Sequence, residues 1–450
     1  MATGTARRSR AGDGHGGKPY SAAPKTLDTR IAEKPFLPFD VEGPAALSAT
    51  TATETITPEA RRALLGSALG YAMDGFDLLI LGFMVGPIAH ALHLVPTQIG
   101  ALFTYTLVGA VVGGILFGTL ADRLGRVRVL TWTILVFAVF TGACALAQSY
   151  TQLLIFRAIA GLGLGGEFGI GMTLAAEAWP ASQRARVSSY VGLGWQAGVL
   201  VAALVTPALL PLIGWRGMFA VGIIPALAAF LIRRRLHEPA LFERKHATSE
   251  AQSLRLLVAD AATAKISLGM IILCGVQNFG YYGVMIWLPS YLNCKLHLGL
   301  VGTASWIVVT ILGMGLGIWC FGILADRIGR RPSFMGYMLG AAIMVVVYSR
   351  LASPGALLIG GAVLGFFING MLGGYGALMS ELYPTAARAT AQNVLFNVGR
   401  FIGGFGPVVV GGILAKHGFP TAIALLAVLY IIDLIAMALL IPERRGAALT

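Results

Sequence analysis

The chain has 450 residues, of which 56% are hydrophobic and only 12% are charged. Soluble globular domains carry roughly 25% charged residues, so this composition excludes an ordinary soluble protein. The net charge of +13 would suit a nucleic-acid-binding protein, but the basic residues are spread over alternate loops between apolar segments and form no single stripe. The sequence therefore predicts a protein that is embedded in a lipid bilayer and has no nucleic-acid partner.

The N-terminal segment differs from the rest of the chain. It is rich in Ala, Gly, Pro, Ser and Thr and has no hydrophobic periodicity, which predicts a disordered cytoplasmic tail over residues 1–62. The Arg7-Arg8 pair raises the alternative of a twin-arginine export signal, but no apolar segment or small-residue cleavage site follows it. The tail interpretation is therefore preferred.

Twelve long apolar segments follow the tail. A helix needs roughly 20 predominantly apolar residues to cross the hydrocarbon core of a bilayer, so each segment is predicted to cross once. The predicted fold class is an all-α polytopic membrane protein with two six-helix bundles, 63–235 and 266–443, a cytoplasmic central loop, 236–265, and a cytoplasmic C-terminal tail, 444–450. The predicted spans are residues 64–88, 99–121, 128–148, 151–177, 186–210, 215–234, 266–290, 301–325, 333–350, 355–379, 389–414 and 419–441.

The basic residues indicate the orientation of the predicted spans. Arg and Lys are concentrated in the central loop and in the loops after the second, fourth, eighth and tenth spans, and the opposite side has only Arg216, Lys295, Arg350 and Lys416 near it. Basic residues close to helix ends stay in the cytoplasm. The sequence therefore predicts a protein of the inner membrane with both termini in the cytoplasm.

An internal repeat connects the two predicted bundles. The segment GTLADRLGR at 118–126 recurs as GILADRIGR at 322–330, an offset of 326 − 122 = 204. The same offset, without a gap, relates Gly109 to Gly313, Glu177 to Glu381 and Arg184 to Arg388. Two parallel halves related by a pseudo-two-fold axis enclose a cavity, and rocking them exposes that cavity to each side in turn. The repeat therefore predicts transport of a solute.

The two repeated segments, each after a glycine-lined second span of its half, resemble the signature loop of the major facilitator superfamily. The resemblance covers nearly all of the chain after the tail and implies the major facilitator fold and alternating access. In that family such loops form cytoplasmic charge contacts that hold the outward-open state, which implies a conformational latch here. The alternative is that these charges only fix the topology. The matching residues are Asp122, Arg123, Arg126, Glu177 and Arg184 in the first half, and Asp326, Arg327, Arg330, Glu381 and Arg388 in the second.

Two acidic residues occupy the middle of the first span. Asp74 and Asp77 are three positions apart and so share a helix face. Two carboxylates in a site of low dielectric constant resist ionising together, which suits proton coupling. The alternative is a pair that fixed hydrogen bonds or a cation neutralise throughout transport. At the repeat offset Asn278 and Tyr281 take their places, so coupling is assigned mainly to the first half.

Arg400 lies well inside the eleventh span, where a guanidinium needs an anion and holds a carboxylate through two parallel hydrogen bonds. We predict that it binds the carboxylate of the substrate, with its repeat mate Gln196 and the neighbouring Trp195 facing the same cavity. The alternative is a fixed ion pair between Arg400 and an aspartate of the first span. The predicted substrate-binding residues are Arg400, Gln196, Trp195, Asn278, Tyr281 and Tyr282.

Arg157 and Glu167 share the fourth span and are ten residues apart, a spacing at which both could face one side of the helix. In the family that the chain resembles, an arginine at about the place of Arg157 is linked to proton coupling. Arg157 and Glu167 are therefore predicted to couple protons together with Asp74 and Asp77, and pairing between helices is an equally good explanation.

Two short sequences narrow the expected substrate by resemblance. DGFD at 74–77 resembles the aromatic-acid:proton symporters, and GGEFG at 165–169 is closer to the sialate, lactate and other metabolite:proton symporters. Both groups imply a small organic anion, such as an aromatic, hydroxy or sugar acid, that enters with protons. The predicted function is therefore proton-coupled symport of an organic acid.

Two other functions remain as alternatives. A proton-driven efflux antiporter of drugs or metabolites also uses acidic residues in the first span, although Arg400 favours an anionic solute. A transporter-like solute sensor usually needs a folded cytoplasmic domain, which neither the tail nor the central loop resembles. The sequence has no Walker loop, metal-ligand spacing or nucleophile–base pattern. We therefore expect no enzymatic activity and no metal or cofactor. We expect a proton gradient to be the energy source and the protein to function as a monomer.

Overall fold

The computed structural model describes residues 56–233, Glu238, 253–296 and 300–446. Most of the predicted tail, 1–62, and much of the central loop, 236–265, lie outside the described residues. The first helix begins at Pro58, where Thr57 accepts a hydrogen bond from the Ala60 amide in the manner of an N-cap. The helices are α1 Pro58–Leu92, α2 Pro96–Leu124, α3 Arg126–Cys144, α4 Tyr150–Ala178, α5 Arg184–Val221, α6 Ile223–Arg233, α7 Ser253–Leu256, α8 Ala261–Leu296, α9 Leu300–Ile328, α10 Arg330–Arg350, α11 Pro354–Gly370, α12 Tyr375–Leu382, α13 Arg388–Gly403 and α14 Gly406–Leu440.

Two glycines divide long helices into separate membrane crossings. Eleven helical stretches among the described residues are long and apolar enough to span a bilayer, and one of them, Ala181–Leu231, has 51 residues. At 1.5 Å per residue this stretch would measure 51 × 1.5, or about 76 Å, against a hydrocarbon core of roughly 30 Å. The backbone turns at Gly214, which has a φ of 65°, so the stretch contains two spans. Gly418, with a φ of 78°, separates the last two spans of the chain in the same way. The prediction of an all-α fold with about twelve spans is confirmed.

The internal repeat is present in three dimensions as two halves with matching contacts. In the first half α1 packs on α5 and α2 on α4, and in the second half α8 packs on α13 and α9 on α11. The halves meet where α2 contacts α13 and α9 contacts α5. The breaks at Gly214 and Gly418 also differ by 418 − 214 = 204 residues. The repeated sequence therefore produces repeated backbone geometry.

Glycines allow the closest helix crossings. A Cβ atom on Gly113 of α2 would overlap the carbonyl oxygen of Leu162 on α4, and a Cβ on Gly317 of α9 would overlap that of Phe366 on α11. The overlapped residues differ by 366 − 162 = 204, the repeat offset. Small residues let membrane helices approach until their backbones touch, and these crossings determine the spacing of the helices within each half.

The outer surface of the bundle is apolar. Large hydrophobic side chains on the helices, such as Ile359, Val408 and Leu439, have more than two thirds of their surface exposed, at 69%, 72% and 77%. An apolar surface of this extent would make a water-exposed protein aggregate, whereas lipid tails solvate it. The outward-facing side chains therefore agree with the predicted membrane location.

Replacing Gly317 by alanine is expected to destabilise the second half. The new methyl group meets the backbone of α11, and overpacking of this kind costs about 1–3 kcal/mol. Gly336→Ala on α10 is the matched control because, apart from the local backbone of its own helix, no heavy atom lies within 4 Å of its Cβ position. A helical Gly→Ala change without a clash stabilises by about 0.5–1 kcal/mol. Thermal unfolding of the purified protein in detergent should give a lower Tm for Gly317→Ala and an equal or higher Tm for Gly336→Ala. Equal Tm values for the two variants would contradict a backbone contact at this crossing.

Candidate functional site

A central cavity lies between the two halves. The empty space between its lining atoms is about 240 Å³, but only about 10 Å³ of it admits the centre of a water molecule, which is roughly the room that one water needs. The first half contributes Tyr71 from α1 and Trp195 from α5, and the second half contributes the other lining residues. These are Gln277, Asn278, Tyr281 and Tyr282 of α8, Asn369 of α11, Leu372, and Phe396 and Arg400 of α13. The cavity is therefore largely filled by its own side chains.

A buried ion pair joins the two halves at this cavity. Arg400 donates from Nη1 to Asp74 Oδ2 and from Nη2 to Asp74 Oδ1, each over 3.0 Å. Arg400 also donates from Nε to the Tyr282 hydroxyl over 3.2 Å, and its guanidinium carbon lies 5.1 Å from the centroid of the Trp195 ring. Both charged residues are buried. The pair is of the kind that the sequence analysis gave as the alternative to a substrate contact.

A second buried ion pair lies within the first half. Arg157 of α4 donates to both carboxylate oxygens of Asp77, over 2.9 and 2.8 Å, and its Nε donates to Thr106 Oγ1 over 3.3 Å. Asp74 and Asp77 thus each have a guanidinium partner of their own. The structure therefore places the two aspartates in separate ion pairs and gives no isolated pair of carboxylates.

Glu167 and Gln196 lie apart from the other predicted site residues. Glu167 accepts a hydrogen bond of 2.6 Å from Thr133 on α3, whereas the partners of Arg157 lie on α1 and α2. Gln196 is buried, and neither atom of its side-chain amide has a hydrogen-bond partner among the described residues. It does not line the cavity, although its neighbour Trp195 does, because consecutive residues of an α-helix point about 100° apart. Of the six predicted substrate-binding residues, five line the cavity and Gln196 does not.

The first of two charge clusters sits at the end of the bundle where α2 turns into α3. Asp122 accepts hydrogen bonds from the amides of Ala389 and Thr390, over 3.2 and 2.8 Å, and so caps the N-terminus of α13 in the opposite half. Arg126 lies 3.1 Å from Asp122 and 3.3 Å from Glu177. This cluster therefore binds the first half to the second.

The second cluster repeats the first with the halves exchanged. Asp326 accepts from the amides of Ala185 and Arg186 at the start of α5, each over 3.1 Å. Arg330 lies 3.0 Å from Asp326 and 2.8 Å from Glu381. Each half therefore caps a helix of the other half with an aspartate.

The repeated charge pairs between the halves differ in length. Glu177 and Arg388 approach to 2.6 Å, whereas Glu381 and Arg184 are 3.8 Å apart.

Arg123 and Arg327 lie on the exposed surface and form no ion pair with another described residue. The structure thus brings together eight of the ten predicted latch residues and leaves these two outside the clusters. The outward direction follows from helix geometry, since each arginine is one residue beyond an inward-facing aspartate.

Two glutamates in the clusters were missed by the sequence analysis. Glu238 accepts from the amides of Arg126, Val127 and Arg128 at the start of α3, over 2.7, 3.0 and 3.1 Å. Glu443 accepts from the amides of Arg330 and Arg331 at the start of α10, over 3.2 and 2.7 Å. Their offset of 443 − 238 = 205 differs by one from the repeat, so a gapless comparison does not align them. A glutamate shortly after the last span of each half was the available signal.

Contacts between α4 and α13 close the space between the cavity and the clusters. Phe168 stacks on Phe396 with the ring centroids 3.6 Å apart. Asn393 accepts from the Gly169 amide over 3.0 Å, and Asn397 donates to the Gly165 carbonyl over 2.8 Å. The two halves are therefore in direct contact between the cavity and the cluster end of the bundle.

Comparisons with known proteins agree with this architecture. The model of the Major Facilitator Superfamily matches residues 67–319 and 296–449. A putative metabolite transport protein of Haemophilus influenzae is 63% identical over 86% of this chain and 97% of its own length. A probable 4-methylmuconolactone transporter of Cupriavidus pinatubonensis is 34% identical over 87% and 93%, and the cis,cis-muconate transport protein of Acinetobacter baylyi is 32% identical over 85% and 94%.

Among solved structures, the proton:xylose symporter XylE matches with a TM-score of 0.73 at 18% identity, over 88% of this chain and 98% of the other. This likeness concerns the fold alone. The chain belongs to the Major Facilitator Superfamily. It is a multi-pass membrane protein and a metabolite transporter, and it is not an enzyme.

Replacing Asp122 by asparagine is expected to loosen the start of α13. The Ala389 and Thr390 amides bond different oxygens of Asp122. An asparagine has one acceptor oxygen and no negative charge, so one of these hydrogen bonds is lost or both are weakened. Hydrogen–deuterium exchange over residues 389–391 should accelerate on the order of tenfold, which corresponds to about 1.4 kcal/mol of local stability. Asp260→Asn is the control because Asp260 is exposed and caps only the start of α8 through Thr263. Unchanged exchange at 389–391 in Asp122→Asn would contradict the capping role.

Proposed function

We propose that this transporter is a proton-coupled symporter of small organic acids that works by alternating access. The observation that carries the proposal is the Asp74–Arg400 ion pair, which lies at the cavity and connects the two halves. The cavity and both charge clusters are formed by one chain, so we propose a functional monomer. The distribution of basic residues supports an inner-membrane location with both termini cytoplasmic.

The proposed coupling is a competition for one guanidinium. Arg400 holds the carboxylate of Asp74 through two parallel hydrogen bonds, which is the geometry that a substrate carboxylate would also require. If the substrate displaces an ionised Asp74, a buried charge loses its partner, and such a loss costs about 3–5 kcal/mol. A proton on Asp74 removes this cost because the acid becomes neutral. Binding of the anion and uptake of a proton therefore favour each other.

The second ion pair supplies a further proton-coupling candidate. Asp77 lies about one helical turn from Asp74 along α1, and its partner Arg157 is on α4, so this pair belongs to the first half only. Their separation from Arg400 means that the pair does not need to break for the substrate to bind. We assign the direct exchange with substrate to Asp74 and a supporting electrostatic role to Asp77, Arg157 and Glu167.

The names of the relatives support an organic anion as the substrate. One relative is a transporter of cis,cis-muconate, which is a dicarboxylate, and another is a probable transporter of 4-methylmuconolactone. A guanidinium at the cavity suits this class of solute.

We further propose that the two charge clusters form the latch, and that Asp122 and Asp326 release the helices they cap when that end of the bundle opens.

Transport in proteoliposomes should separate the roles of Asp74 and Arg400. We expect wild type to accumulate one acid from a radiolabelled carboxylic-acid panel when the proton gradient is directed inward. Asp74→Asn mimics the protonated acid, so it should lose gradient-driven accumulation but keep exchange of labelled for unlabelled substrate. Arg400→Ala should lose both activities because it removes the carboxylate partner. Asp260→Asn, which removes an exposed carboxylate outside the cavity, should behave as wild type.

Two results would contradict the proposal. Accumulation by Asp74→Asn at the wild-type level would remove Asp74 from the coupling mechanism. Expulsion of a preloaded cation or drug, with no acid accumulated by wild type, would replace the symport proposal by proton-driven efflux.

A further inference from the structure

Two amide side chains line the cavity beside Arg400 and remain unexplained by carboxylate binding. Gln277 of α8 donates from Nε2 to Oδ1 of Asn369 at the end of α11, over 2.7 Å. Gln277 is only 2% exposed and Asn369 only 1%. Both belong to the lining of the cavity. A polar pair this deeply buried needs its remaining hydrogen-bonding groups satisfied.

The pair presents one free acceptor and one free donor group. Gln277 Oε1 and Asn369 Nδ2 have no hydrogen-bond partner among the described residues. Reversing both amides would leave a free donor on Gln277 and a free acceptor on Asn369, so the inventory does not depend on how oxygen and nitrogen are assigned. The residues that line the cavity therefore include one free donor group and one free acceptor.

This combination selects among functional groups. A hydroxyl or a primary carboxamide donates one hydrogen bond and accepts another, so it satisfies both free groups at once. A carboxylate only accepts, and it would leave the acceptor of the pair unsatisfied and facing another oxygen. Arg400 is also the single cation among the described lining residues, so a second carboxylate would have no charge partner once the first is bound there.

We propose that Gln277 and Asn369 bind the end of the substrate opposite its carboxylate, and that this end carries a hydroxyl or carboxamide group. The inference rests on the proposed binding of the carboxylate by Arg400. It narrows the substrate to organic acids with an uncharged group that both donates and accepts. It also sets this chain apart from the relative that transports cis,cis-muconate, because muconate is a dicarboxylate.

The placement of these residues supports the proposal. Gln277, Asn369 and Arg400 lie on α8, α11 and α13, all in the second half. A substrate held at both ends by one half keeps its contacts when the halves rock against each other. The repeat mates of the amides are Met73 and Gly165, at 277 − 204 and 369 − 204, so the first half has no equivalent pair. The two ends of the substrate would thus be recognised by groups that the repeat does not duplicate.

The test compares four acids of equal carbon number in the full-length protein in lipid nanodiscs. The probes are hexanoate, 6-hydroxyhexanoate, the monoamide of adipic acid, and adipate, titrated by calorimetry at pH 7.5, where the second carboxyl of adipate is ionised. We expect wild type to bind the hydroxy acid and the monoamide on the order of tenfold or more tightly than hexanoate and adipate, since a site built around a polar group rejects analogues without it.

The matched variant replaces both amides by apolar side chains of similar size. Gln277→Met with Asn369→Leu removes donor and acceptor together and leaves no unpaired partner, so folding should be retained; Tm and the affinity for hexanoate monitor this. We expect the double variant to bind hexanoate within about threefold of wild type. It should bind the hydroxy acid and the monoamide no more tightly than hexanoate, because their polar ends then meet apolar side chains, and adipate should stay at least as weak. Arg400→Ala tests the carboxylate end separately and should weaken binding of all four.

The outcomes distinguish the two proposals. An unchanged preference for the hydroxy acid and monoamide in the double variant, or a wild type that prefers adipate or binds all four acids equally, overturns the assignment of the amide pair. If Arg400→Ala binds the acids as tightly as wild type while the double variant loses its preference, the carboxylate assignment fails and the amide assignment stands. Absence of binding of every probe to wild type overturns both.

Discussion

The structure depends on a buried ion pair that the two halves share. Asp74 on α1 and Arg400 on α13 are 326 residues apart in sequence, and their bidentate contact lies at the cavity that divides the halves. Desolvating two charges is costly, and good geometry with further hydrogen bonds is needed to offset that cost. Tyr282 and the face of Trp195 provide such contacts to the guanidinium. A substrate carboxylate that enters this site therefore competes with a group already present, which is why we connect substrate binding to protonation of Asp74.

The contacts within each half differ in kind from the contacts between the halves. The former keep each half rigid, whereas the latter have to break when the halves move. Within each half, glycines such as Gly113 and Gly317 bring helix backbones into contact, and close packing of this kind resists deformation. Between the halves, the polar contacts include ion pairs and carboxylates that cap helix N-termini, as with Asp122 at the start of α13. Such contacts exchange for water when they open, whereas a backbone crossing has no substitute. Rocking of two rigid halves is the motion that this distribution favours.

The halves are similar in backbone and different in chemistry. The first half carries the buried charges Asp74, Asp77 and Arg157, whereas the second half lines the cavity with Arg400 and with neutral amides such as Gln277 and Asn369. Proton coupling and substrate recognition are therefore proposed to reside in different halves. The two tasks meet at the ion pair between Asp74 and Arg400. The same guanidinium is proposed to bind Asp74, which accepts the proton, and the carboxylate of the substrate.

The sequence by itself determined the class of protein, the twelve spans and the repeat, because hydrophobic length and a gapless offset of 204 are local or periodic signals. It also located Asp74 and Arg400 as buried charges but left their partners open, since which helices meet is decided only when the halves pack. The orientation of Gln196 away from the cavity and of Trp195 into it depends on the rotation of α5 about its axis, which no hydrophobic pattern specifies in a helix apolar on nearly every side. The hydrogen bond between Gln277 and Asn369 likewise joins α8 to α11 across 92 residues. Tertiary structure alone placed these amides at the cavity, because a buried polar group finds its partner in space rather than along the chain.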